Sequence, residues 1–217
     1  MRHDDCRRDF LLRTLALGAF AVSPTARAET AGDAAKSIHS LKGELRVNGR
    51  AATAATRIGG KDVVQTGADS QVIFVVGKDA FILRPKSELH LSGDKFLVKG
   101  LRLVSGALLS AFGKGPHDII TPTATIGIRG TGIYVEAQAD RSYVCNCYGT
   151  TVIAAAADPA AAETVVSKHH NARYVTADGK LRTAPFLRHD DDELMLIESL
   201  LGRTPPFAAP GDGRPKR

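Results

Sequence analysis

Beyond Leu41 the chain alternates polar and apolar residues or gathers apolar ones into short runs, with glycines and Asp-Lys pairs between them. The interruptions fall about every 8 to 12 residues, the spacing expected of a sandwich or a related all-β stack. Glu44-Leu45-Arg46-Val47-Asn48-Gly49 alternates and then meets an Asn-Gly pair, a strong hairpin signal. Gln71 to Val76 is a continuous β-branched run of strand length. Asp62 to Thr66, Phe81 to Leu83, Glu88 to Leu91, Lys95 to Val98 and Leu101 to Val104 extend the series, and no helical period emerges between Leu41 and Ala155. Further on, Arg141 to Tyr148 reads as a strand turning at Gly149-Thr150 into Thr151 to Ala154. Thr164 to Val166 and Arg173 to Thr176 are short strands after a turn at Asp158 to Ala162. Only near the end does a helix appear. Asp190 to Glu193 precede Leu194, Ile197, Leu200 and Leu201, with Gly202 and then Pro205-Pro206 beyond. Acids at the start complement the helix dipole, and glycine suits a left-handed cap. The pattern predicts a mainly β fold, a stack or sandwich of short strands with one C-terminal helix.

The first 28 residues follow a different pattern: charged residues, a short apolar run from Thr14 to Val22, then Ala26-Arg27-Ala28. That is the layout of a secretory signal with a small-residue cleavage site. The run is far short of the roughly 18 residues of a membrane span, and no second hydrophobic segment follows. Arg7-Arg8-Asp9-Phe10-Leu11 is similar to the twin-arginine export motif, with Cys6 where Ser or Thr is usual. Cleavage after Ala28 leaves 189 residues with 24 basic and 20 acidic side chains. That mild charge, without a basic stripe interleaved with aromatics, argues against a nucleic-acid partner. The chain divides into a signal peptide (1–28), a tether (29–40), a β domain (41–153), a β extension with His-His (154–187), a C-terminal helix (188–202) and a disordered tail (203–217).

The stretch Ile119-Ile120-Thr121-Pro122-Thr123-Ala124-Thr125-Ile126-Gly127-Ile128-Arg129-Gly130-Thr131-Gly132-Ile133-Tyr134-Val135 resembles the hallmark of FecR-type periplasmic domains. In that family a Thr-Pro-x-Ala segment runs into Val/Ile-Arg-Gly-Thr and an aromatic strand. Gly59 to Gly67 resembles the family's Gly-Asp…Thr-Gly segment, with Lys61 interrupting the Gly-Asp pair, and Ser70 to Val76 its following strand. Leu101 to Ser110 resembles the strand before the Thr-Pro segment. The resemblance spans Leu41 to Ile153 and implies a FecR-type β domain. FecR proper joins its periplasmic part to a cytoplasmic, sigma-factor-contacting segment through a membrane helix. A cleavable signal in their place implies a stand-alone periplasmic binding or scaffold module, with an envelope protein or ligand as partner. Physically, Gly130 and Gly132 flanking Thr131 allow positive φ or close backbone approach. Arg129 is expected to bury its stem and donate to nearby carbonyls.

Candidate chemistry concentrates in Tyr143-Val144-Cys145-Asn146-Cys147-Tyr148-Gly149 and in Lys168-His169-His170. On a strand Cys145 and Cys147 project to one face. A strand returning after Asp158 would bring His169 or His170 beside them. Cys145, Cys147, His169 and His170 therefore form a candidate N/S ligand set suited to zinc or copper. A disulfide, a thiol-redox pair and simple packing of free thiols remain alternatives. Adjacent histidines on a strand face opposite ways, so one of the two would join the thiols. The acids beside His189 read as helix N-terminal charge. No Gly-x-Ser-x-Gly, His-Glu-x-x-His or P-loop occurs, so a non-enzymatic protein is expected. Replacing Arg7 and Arg8 by lysines should trap precursor in the cytoplasm, as seen by fractionation. Mature protein reaching the periplasm at normal levels would instead assign export to the general secretory route.

Overall fold

The computed structural model describes residues 37–208, so the predicted signal peptide (1–28), most of the predicted tether and the last nine residues lie outside the described part. The fold is mainly β, with fourteen strands and one α-helix among the described residues. The strands are β1 (Ile38–Lys42), β2 (Leu45–Val47), β3 (Arg50–Ala51), β4 (Val63–Thr66), β5 (Gln71–Val76), β6 (Asp79–Leu83) and β7 (Glu88–Gly93). They continue as β8 (Val98–Ala111), β9 (Pro116–Ile120), β10 (Ala124–Ala137), β11 (Arg141–Ala155), β12 (Ala162–Ser167), β13 (Asn171–Thr176) and β14 (Leu181–Ala184). The helix α1 (Asp191–Leu200) follows, and Pro206–Ala208 makes a single 3₁₀ turn.

Three long strands organise the rest. The second half of β8 pairs with β10 and with β6, whereas its first half pairs with β9 in parallel. Strand β9 also pairs with the first half of β10. The sheet thus opens around β9 and curves back through β7, β4, β2 and β3, enclosing a first core that includes Phe74, Phe81, Leu103, Leu108, Ile119 and Val135. Neighbouring residues on these strands face the other way. Ile73, Ile82, Leu109 and Tyr134 enter a second core on the opposite face, beneath Leu194 and Ile197 of α1. Burial on both faces explains why the β5 and β6 sequences are continuous apolar runs instead of alternating ones.

Strand β11 differs from its expected form. No turn occurs at Gly149: the strand runs unbroken for 15 residues. The register steps from Ile133↔Asn146 to Gly132↔Tyr148, leaving Cys147 as the extra residue of a bulge. Gly149 has φ +93°, so the glycine serves the bulged strand and not a hairpin end. The Asn146 amide donates to Gly149 O (3.0 Å) and Val165 O (2.8 Å), tying the bulge to β12.

The glycines of the Arg-Gly-Thr-Gly segment fill the expected roles. Gly130 has φ +58°. At Gly132 an added Cβ would stand 2.4 Å from the Tyr148 ring. Arg129 departs from expectation: its side chain is exposed and makes no hydrogen bond to a carbonyl among the described residues. The helix forms as expected, with Asp190 as N-cap accepting from Glu193 N and the Glu193 side chain closing the capping box. Gly202 beyond it has φ +67°. Residues 203–208, placed in the tail by sequence, pack back onto the fold, with Arg203 on Glu198 and the Phe207 ring 6.1 Å from Tyr148. No helix among the described residues is long and apolar enough to cross a membrane.

Gly132→Ala should destabilise the protein by about 1 to 3 kcal/mol, since the new methyl must displace a buried ring. Gly127→Ala is the control, because its Cβ would meet no atom closer than 3.8 Å. Equal melting temperatures for the two variants would refute the packing argument.

Candidate metal centre

Both cysteines are free and fully buried in the second core, and both project to the α1 side of β11. Strand β12 pairs with the second half of β11, and β13 pairs with its first half. The connection between them therefore runs alongside β11 past Cys147, where His170 N donates to Cys147 O (2.9 Å). His170 sits in that connection with φ +50°, outside any strand. The opposite-faces rule for adjacent strand residues consequently does not apply, and the His169 and His170 rings stand 4.4 Å apart on one side.

The four predicted residues separate into two groups. His170 joins the thiols, with Nδ1 3.7 Å from Cys145 Sγ. His169 does not; its Nε2 lies 2.9 Å from each carboxylate oxygen of Asp191. The fourth member of the inner group is His189, whose Nε2 is 3.3 Å from Cys147 Sγ and 3.3 Å from His170 Nδ1. One donor atom from each of Cys145, Cys147, His170 and His189 lies within 4.8 Å of the others. Sequence reasoning weighed His189 with the acids that follow it as a cation site but assigned those acids to the helix start, and did not join it to Cys147, 42 residues away.

The outward nitrogens are committed. His189 Nδ1 donates to Leu187 O at 2.8 Å. A carbonyl can only accept, so His189 directs the Nε2 lone pair inward. His170 Nε2 faces Asp191 Oδ1 at 2.9 Å, which likewise turns Nδ1 inward when the ring is neutral. Tyr134 stacks on His189 (4.5 Å, 21°) and Phe186 lies 4.1 Å from His170, fixing both rings. Such outer partners orient and strengthen metal-ligating imidazoles.

The electrostatics fit the same picture. The hydrogen bond from Cys147, helped by His170 and His189 and opposed by burial, holds the Cys145 thiol down to about 3. Burial and the neighbouring Cys145 push Cys147 well above the ordinary thiol range. For His170, burial opposes the charged ring, yet hydrogen bonds to Cys145 and Asp191 raise its pKa. Without a metal ion, protons supply the positive charge that two sulfurs and a carboxylate demand. Binding a cation would release them.

Around the centre, polar contacts fasten the C-terminal segment. Tyr143 Oη donates to Pro185 O (2.9 Å) and accepts from Leu187 N (3.1 Å). Arg84 pairs with Glu193 at 2.6 Å. Buried Glu198 accepts from Tyr148 Oη and pairs with Arg203 at 2.6 Å.

No protein-family model matches the chain, and no curated protein matches it. Among solved structures, two crystal structures of a candidate anti-sigma factor from Parabacteroides distasonis ATCC 8503, at 1.65 and 2.50 Å resolution, are similar. Each has a TM-score of 0.47 and 11% sequence identity, covering 56% of this chain and 58% of the other. This chain thus spans less than two thirds of that protein's length.

Proposed function

We propose that the protein is an exported, non-catalytic binding or scaffold module of the FecR type, with its C-terminal segment fastened by one zinc or copper ion on Cys145, Cys147, His170 and His189. One observation carries the metal reading. Two imidazole nitrogens, whose rings commit their other N–H groups to Leu187 O and Asp191, face each other at 3.3 Å beside two sulfurs. A cation between them would take the place of the proton that otherwise bridges the two nitrogens, and would bind all four donors at once. The separations also suit a tetrahedral ion. With Zn–N near 2.0 Å and Zn–S near 2.3 Å, the N–N edge is about 3.3 Å and the S–N edge about 3.5 Å. The corresponding distances are 3.3 Å for N–N and 3.3 and 3.7 Å for S–N.

Four protein ligands leave no position for a substrate or water, the mark of a structural site. This favours scaffold work over catalysis. Export is supported by the order of arginines, apolar run and Ala-x-Ala in residues 1–28. The FecR-type reading is supported by the motifs from Gly59 to Val135, and it makes an envelope protein or ligand the natural partner.

The mature protein should carry about one equivalent of zinc or copper by elemental analysis, and Cys147→Ser should lose it while retaining a β-type far-UV spectrum. Stripping the ion with a chelator should lower Tm by roughly 8 to 16 °C if the metal is held near a thousandfold above its Kd. Metal-free protein with a quantitative Cys145–Cys147 or intermolecular disulfide would refute the metal reading and assign the thiols to redox or packing.

A further inference from the structure

His169 contributes nothing to the inner four ligands, yet it stands against their one approachable member. Cys145 and Cys147 expose no surface, and His189 is 6% exposed. The His170 side chain is 9% exposed, and its outer nitrogen meets two more accessible groups: His169 at 30% and Asp191 at 42%. An ion travelling between water and the sulfurs therefore meets His169 and Asp191 on the His170 side.

Those three residues are a ligand set in their own right. Asp191 Oδ1 lies 2.9 Å from both His169 Nε2 and His170 Nε2, and one donor atom of each residue falls within 4.8 Å of the others. Two imidazoles and a carboxylate bind zinc while leaving a fourth position for water, the arrangement of exchangeable sites as opposed to closed ones. The His169 ring is further held by Phe207 at 4.7 Å. The carboxylate is fixed at the first residue of α1, on the positive end of the helix dipole.

We propose that His169, His170 and Asp191 form an outer, exchangeable zinc site through which the ion enters and leaves the buried centre. The proposal rests on the inner centre being a metal site. His170 belongs to both sets, through Nε2 outside and Nδ1 inside. A neutral ring offers one lone pair at a time, so the two sites fill in turn. The ring proton sits on Nδ1 while the ion is outside and on Nε2 once it is inside, exchanging through water. In the loaded protein Asp191 returns to the His170 N–H and becomes the outer partner that orients the ligand. His169 is thus an entry residue without being a resident ligand.

The test compares wild type with His169→Gln, which keeps a donor for Asp191 but removes the imidazole. Reduced, metal-free full-length mature protein is mixed with Zn²⁺, and release to a chromophoric chelator is followed in the reverse direction. The variant should bind the same one equivalent at equilibrium. Both uptake and release should slow by roughly tenfold, on the scale that losing an outer partner costs a metal site. Rates equal to wild type would overturn the entry site, as would loss of the equilibrium ion from His169→Gln. Wild type that takes up no zinc would instead overturn the metal reading beneath it.

Discussion

Strands β6, β8, β10 and β11 carry apolar side chains on both faces where they pair, so water must be excluded from each side of the sheet. The first face is covered by the sheet curving over itself. The second is covered by the chain after β14, and that cover is thin. Leu194 and Ile197 are the fully buried apolar residues of α1, and such side chains stabilise by about 1.5 to 3 kcal/mol each. Ordering the segment costs conformational entropy along its whole length. Directional contacts therefore carry much of the docking: Arg84 with Glu193, Glu198 with Tyr148 and Arg203, and Tyr143 with the backbone at Pro185 and Leu187. The ion proposed for Cys145, Cys147, His170 and His189 would join β11, the β12–β13 connection and the residue before the helix cap at the same junction. Its binding free energy would enter the folding free energy directly.

What the sequence made legible was whatever depends on local period and local caps. Strand runs such as Gln71 to Val76 and the helix with its acids at Asp190 to Glu193 needed only neighbours in sequence, and both stand where the pattern predicts. The same logic placed Cys145 and Cys147 on one face, and the bulge at Cys147 kept them there. Errors arose where one residue type serves two geometries. A glycine with positive φ ends a hairpin or relaxes a bulge, and Gly149 does the second. Two adjacent histidines diverge on a strand but not in a left-handed connection, and His170 occupies the latter. His189 was hidden for a different reason. Its role depends on where the segment after β14 crosses β11, and no periodicity encodes that crossing.

The arrangement also bears on what the two free, buried thiols can do. Asn146 lies between them, and its amide is anchored to carbonyls at Gly149 and Val165. A cation bound by both would need no change in this backbone, because the donor atoms of Cys145, Cys147, His170 and His189 already lie within 4.8 Å of one another. Three of the four donors come from one local meander, Cys145, Cys147 and His170, and the fourth arrives after two further strands. Contacts closed by short loops form at lower entropic cost than those closed by long ones. The meander alone would therefore present an open set of three donors. His189, packed against Tyr134 and Phe186, would make it a closed one. The side chain that would complete the coordination is also the one leading into α1, so closing the proposed site and covering the second core would be a single structural event.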